Sequence, residues 1–170
     1  MKGTLILLII FISLFNESIS AQRVKCSVEK DQTSGERIFK SSYRNGDLKI
    51  EQKEGEIIKL FWTINYSGQQ SVAFEKGAKF VLKLADDNII ICKTINEAFP
   101  ELLLGTYTDF TRYSFILEVK KEQLAQLASS PIVFSRTPNP VGKVQDETDI
   151  WRKRNQKIYQ NLFECINSNK

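Results

Sequence analysis

Apolar and polar residues alternate along most of this chain. The segment IIKLFWTINYS shows it best: Ile58, Leu60, Trp62, Ile64 and Tyr66 fall on one face, with Lys59, Thr63 and Asn65 on the other. In RYSFILEVK, Tyr113, Phe115, Leu117 and Val119 alternate in the same way. Such period-two patterning predicts strands with one face against a core. Val24, Cys26 and Val28 share a face in RVKCSVEK, which is followed by turn residues in DQTSGER and by a second strand, RIFKSSY. Leu48 and Ile50 mark a further strand, ending in a turn at Gly55. A short strand is predicted around Val72 to Phe74. KFVLKL, the turn ADDN and IIICKTI predict a hairpin, and PIVFSRT a late strand. The expected fold is mainly β (α+β), an antiparallel sandwich or rolled sheet of about seven or eight strands.

Two stretches have a different period. KEQLAQLASS places Leu124, Leu127 and Ala128 on one side and is followed by Pro131, so a short helix is expected near 121–129. PNPVGKVQDET reads as a loop. Thr148 or Asp149 then caps a C-terminal amphipathic helix near 149–167. Its apolar stripe comprises Trp151, Ile158, Leu162 and Ile166, with Tyr159 and Phe163 alongside. That stripe is the natural cover for an open sheet.

The beginning of the chain sets the expected compartment. Lys2 precedes an apolar run from Leu5 to Phe15, and small residues follow at Ser18, Ser20 and Ala21. This is the pattern of a cleaved secretory signal over residues 1–21, leaving a single domain over 22–170. The run is about half of the ~20 residues a spanning helix requires. The expected location is therefore periplasmic or extracellular, with no transmembrane segment after cleavage.

That location permits disulfides. The chain has three cysteines, so one pair at most forms and three pairings are open. Cys92 lies in an apolar run that predicts burial. Cys26 and Cys165 lie near opposite chain ends, which often meet in a domain, and theirs is the favoured pair.

Charge and chemistry narrow the function. The net charge of +4 is too mild to point to nucleic acid. Arg152, Lys153, Arg154 and Lys157, beside Trp151, cluster where the last helix begins and are candidates for contact with an anionic surface. Without histidine, the commonest general base near neutral pH and the usual mixed zinc sites are missing. No phosphate-binding glycine loop or nucleophile elbow occurs. Asp86–Asp87 fits a hairpin turn better than a calcium loop. Glu97 and Glu101 are the carboxylate pair a hydrolase would need. Asn65-Tyr66-Ser67 fits a glycosylation acceptor, relevant only on a eukaryotic secretory route.

The signal ending SISAQ, the early EKDQTSGER, EKGAKFVLKLADDNIII and SFILEVKKEQLAQLASSPIVFSR together resemble a group of small exported proteins of the Bacteroidetes–flavobacterial type. An early KD-x-[FS]-T-G stretch, a G-x-x-L-x-L-x-D-G hairpin and a helix–Pro–Ile–strand leading to a terminal helix recur there. This chain departs at the hairpin, where Asp87-Asn88 stands for Asp-Gly. The shared motifs are turns and core faces. The resemblance implies an exported β-rich protein and transfers no catalytic residue. The expected function is a non-enzymatic binding or structural module without cofactor or metal. Its partner is a protein or a glycan, and the pattern specifies neither the ligand nor the oligomeric state. The alternatives are an envelope-associated protein that meets anionic surfaces and a carboxylate-based hydrolase.

Overall fold

The computed structural model of the chain describes residues 24–43, 48–53, 57–140, 146–149 and 152–168. The expected signal over 1–21, the turn at Gly55 and Trp151 lie outside the described residues. In chain order the elements are β1 (Val24–Lys30), β2 (Arg37–Tyr43), β3 (Leu48–Lys53), β4 (Ile58–Ser67), β5 (Lys79–Leu84), β6 (Ile89–Thr94), β7 (Glu101–Leu103) and β8 (Phe110–Val119). Then come α1 (Lys121–Ser129), β9 (Ile132–Thr137), β10 (Asp146–Asp149) and α2 (Lys153–Ser168).

The strands form one continuous antiparallel sheet rather than two, in the order β1-β2-β3-β4-β8-β6-β5-β9-β10. β4 covers one side of β8 along its whole length, from Ile58↔Val119 to Ser67↔Phe110. Two strands share the other side of β8. β7 pairs with its first residues and β6 with Leu117 and Glu118. The sheet is not closed.

Its inner face holds the core. Ile58 and Leu60 of β4, Tyr113, Phe115, Leu117 and Val119 of β8, and Phe80, Leu82 and Leu84 of β5 are buried as the alternation requires. Aromatic rings form a row across this core. Trp62 meets Phe80 at 5.7 Å, Phe80 meets Phe115 at 5.1 Å, and Phe74 lies 5.4 Å from Phe115 and 4.9 Å from Tyr113. Most of these contacts are tilted or edge-on, the arrangement aromatic quadrupoles favour.

α2 covers the open side of this face. It touches β1, β2 and β3 at one end of the sheet and β9 near the other. In a flat sheet β3 and β9 would lie about 24 Å apart, at ~4.8 Å per strand, about twice the width of a helix. The sheet therefore curls around α2. Ile158, Leu162, Phe163 and Ile166 are buried, which confirms the predicted stripe. α1 packs against α2, where the Gln160 side chain donates to the Ala128 carbonyl at 3.0 Å. α1 begins and ends where expected and buries Leu124, Leu127 and Ala128.

Three details depart from the sequence reading. Residues 146–149 are not a helix cap but the edge strand β10, paired with β9 from Asp146↔Thr137 to Asp149↔Phe134, so α2 starts later, at Lys153. Thr148 and Asp149 are committed to that ladder and cannot cap the helix. Val72–Phe74 forms no strand; Phe74 makes only an isolated bridge with Ala98. Val28 is exposed instead of inward, because α2 does not cover that end of β1.

β1 consequently carries little buried apolar surface. It is held by the β2 ladder and by a disulfide between Cys26 and Cys165, with the Cα atoms 6.1 Å apart. Ser41, opposite Cys26, is fully buried, and its small side chain leaves room for α2. The β1–β2 turn is built locally. The Asp31 carboxylate accepts from the Thr33 and Ser34 amides at 2.8 and 3.0 Å, and Gly35 takes φ +76°, which favours glycine. Those hydrogen bonds, Ser34's first, hold the Asp31 carboxyl below its ordinary range.

The disulfide closes a loop of 139 residues, for which chain entropy alone contributes up to about 5 kcal/mol. Replacing both Cys26 and Cys165 by serine is expected to lower unfolding free energy by about 2–5 kcal/mol. Reductant should lower the wild-type denaturation midpoint to that of the double variant and leave the double variant unchanged.

Candidate functional site

The core closes at both layers, yet one end of the molecule remains strongly apolar on its surface. That end is the β7–β8 hairpin. Phe99 is 65% exposed, Leu104 80% and Tyr107 97%, and Leu102 and Phe110 are exposed as well. Such side chains scattered singly would be unremarkable, but five within the one short segment 99–110 make it the candidate interaction surface.

The hairpin stands on a fixed base. Its anchor is Asn96, at the point where β6 leaves β8 and β7 begins. Asn96 Oδ1 accepts from the Ile116 amide at 2.7 Å, and Nδ2 donates to the carbonyls of Glu97 at 2.7 Å and Ser114 at 3.1 Å. One side chain thus replaces the interrupted ladder. The Ile95 amide still bonds the Ile116 carbonyl, and Phe74 and Ala98 exchange two backbone bonds of 2.9 Å. Below them, Tyr113 donates to the Val72 carbonyl at 2.7 Å and Tyr66 to that of Pro138. At the tip, a Cβ on Gly105 would meet the Thr108 carbonyl oxygen at 2.2 Å, so only glycine fits. The Gly105 amide also donates to Asp109 Oδ1 at 3.3 Å.

Charges flank the apolar cluster. Glu97, Glu101 and Asp109 are exposed, and Arg112 lies 4.0 Å from Glu101. The carboxylate pair from the sequence reading thus belongs to this surface: both members face solvent, with Glu101 beside a guanidinium. Arg112 also donates to Asn65 at 3.3 Å, and the glycosylation-type motif Asn65-Tyr66-Ser67 forms the last three residues of β4.

The other sequence candidates lie elsewhere. Arg152, Lys153, Arg154 and Lys157 are all exposed at the start of α2, and Lys157 lies 3.9 Å from Glu164. They do not adjoin Glu97 or Glu101 in any ion pair among the described residues. Asp86 and Asp87 form the β5–β6 turn as expected. Asp87 adopts φ 64° and pairs with Lys83 at 2.8 Å, which lowers its carboxyl below the ordinary value. Cys26 and Cys165 are joined, and Cys92 is a buried free thiol pushed up to about 12 by desolvation. Among the described residues, no three His, Cys, Asp or Glu side chains gather to hold a metal ion, and no helix is long and apolar enough to cross a membrane.

The hairpin was not singled out from sequence. Its signal was present in FPELLLGTYTDF, an apolar run without the alternation of a half-buried strand. No family model matches the chain, and no curated protein or solved structure is significantly similar to it.

Two outcomes follow from this geometry. Asn96→Ala is expected to speed amide exchange in residues 98–112 far more than in β3, measured by hydrogen exchange with mass spectrometry, because the hairpin loses its anchor while the core keeps its packing. Cys92 should resist thiol reagents until the protein unfolds. Its ordinary value is 9.0, so the unfolded thiol ionises first; stability present below pH 9.0 is lost as pH rises toward about 12. Cys92→Ala should show a shallower loss across that window in denaturation experiments.

Proposed function

We propose that the chain is an exported, non-enzymatic binding module and that the β7–β8 hairpin is its binding surface. The observation that carries this reading is the exposure of Phe99, Leu104 and Tyr107 on a rigidly anchored hairpin. Hiding these side chains from water supplies binding energy, and their anchoring lowers the entropy lost on docking. The disulfide fits an oxidising compartment, as do the signal-like start and the resemblance to exported proteins. The solvent-facing positions of Glu97 and Glu101 favour recognition over the enclosed acid–base pair a hydrolase uses.

A second reading assigns contact with an anionic surface to Arg152, Lys153, Arg154 and Lys157. Their common exposure in the first turns of α2 supports it. That contact would be screened by salt, whereas the hairpin's apolar contact would not.

A photo-reactive residue in place of Leu104 or Tyr107 is expected to give a discrete covalent adduct in producing cells. The same group at Thr33, on the distant β1–β2 turn, should give none. Absence of an adduct from every hairpin position would overturn the reading.

A further inference from the structure

A free edge on the hairpin narrows what can dock there. Among the described residues, β7 pairs with β8 on one side and with no strand on the other. The ladder fixes which backbone groups face outward. The Gly68 amide donates to the Asp109 carbonyl at 2.8 Å, in register with Ser67↔Phe110. Asp109 and Thr111 therefore turn their backbone groups to β4, and Phe110 and Arg112 turn theirs to β7. Phe110 pairs with Leu103 and Arg112 with Glu101. The Leu102 amide and carbonyl, lying between these, point away from β8. Among the described residues, no loop backbone or side chain bonds to them. Phe74 closes the edge further back, at Ala98, and its pairing stops there.

The other edges of the sheet are blunted. β1 carries Lys25, Glu29 and Lys30, and β10 is DETD. Where β6 runs beyond its pairing with β8, α1 plugs it, and Gln123 donates to the Ile91 carbonyl at 3.2 Å. Charges and covers of this kind keep stray strands from adding to a sheet. At Leu102 β7 has neither. Leu102 is 43% exposed, between Phe99 at 65% and Leu104 at 80%. A bilayer would cover these side chains and leave the Leu102 amide and carbonyl without partners, whereas a strand satisfies both.

We propose that the hairpin takes its partner as an added β-strand: an extended apolar peptide segment, carrying basic residues, that pairs with Leu102 along the open edge of β7. This rests on the hairpin being the binding surface, and it states the form of what binds. β7 has only three residues, so backbone bonds are few. They fix the position of the added strand, and Phe99, Leu102 and Leu104 supply the apolar contact. Within residues 97–112, Glu97, Glu101 and Asp109 stand against one cation, Arg112, so the edge is net negative and disfavours an acidic segment.

Amide exchange followed by NMR, on the purified and oxidised full chain, tests it. The probes are the capped synthetic peptide KTVTVTVK and its neutral and acidic forms, QTVTVTVQ and ETVTVTVE. At millimolar concentration the basic peptide should slow exchange of the Leu102 amide about tenfold or more and leave the amides of β3 unchanged. The acidic form should bind about tenfold more weakly or worse. Methylating two consecutive central nitrogens of the basic peptide should abolish the protection. Leu102→Pro removes the outward amide without breaking the β7–β8 ladder, because edge strands tolerate proline where the N–H faces solvent. It should keep the thermal transition and lose peptide binding, whereas Leu102→Ala, which keeps the amide, should retain most of it. No protection of Leu102 by any of the peptides overturns the proposal, as does binding that Leu102→Pro or the methylated nitrogens leave intact. A dimer in sedimentation velocity that protects Leu102 without peptide overturns it too, because a second copy then occupies the edge. If a photo-reactive residue at Leu104 gives an adduct in cells while the peptides leave Leu102 unprotected, strand addition falls and the binding reading stands. If there is neither adduct nor protection, both fall.

Discussion

The curled sheet depends on being filled by α2. An open antiparallel sheet with one fully apolar face is not stable in water by itself, and each strand edge added to it exposes more of that face. Ile158, Leu162, Phe163 and Ile166 supply the second layer, and because the helix reaches β1–β3 and β9 together it fixes how far the sheet bends. The disulfide acts on the same contact. By joining Cys165 of α2 to Cys26 of β1, it ties the filling element to a strand that has little buried surface of its own. β1 is thus a strand by hydrogen bonding and covalent attachment more than by hydrophobic burial.

The hairpin follows from a second constraint, the single free side of β8. β4 occupies the other side throughout, so β6 and β7 must divide the remaining positions between them. The exchange leaves backbone groups unpaired at the junction, and unpaired buried amides are costly. Asn96 resolves this with one acceptor and two donated bonds. Beyond that point the core has ended, and the apolar side chains Phe99, Leu104 and Tyr107 have no covering layer among the described residues. Tyr113 and Tyr66 close the core beneath, each with its hydroxyl satisfied by a backbone carbonyl, and the hairpin rises from a finished base.

Legibility in the sequence tracks how much of each element's stability is hydrophobic. β4 and β8 bury alternate side chains, and their inward faces were readable residue by residue. α1 has three buried residues at helical spacing and was bounded correctly. The Cys26–Cys165 pair was legible because the third cysteine sat in an apolar run. β10 was not readable: DETD has no apolar residue and low strand propensity, and its conformation comes from pairing with β9 at an edge. β7, with three residues, is too short for any periodicity. Val28 alternates correctly but lies beyond the Cys26–Cys165 link, on the part of β1 whose side chains are all exposed. The hairpin surface stayed hidden for a related reason: an apolar run predicts burial, and only the topology shows that no layer lies over it among the described residues.

Several local conflicts lie on the surface. Two isoleucines facing outward from β6 and a cationic first turn of α2 each work against the isolated fold. The last is the clearest in physical terms, because the start of a helix is the positive end of its dipole and α2 has no acidic residue in its first turn. Conflicts of this kind collect where a protein meets something else. They also separate into two groups. The lysines of β5 and β6 lie beside apolar side chains, and acidic groups of the chain answer two of them, Asp87 at 2.8 Å from Lys83 and Glu118 opposite Lys93. Arg152, Lys153 and Arg154 surround none among the described residues, so any contact there is electrostatic, graded by salt and weak in isolation. On the proposed reading, shape-specific recognition belongs to the hairpin, and the helix start adds charge to whatever contact it makes.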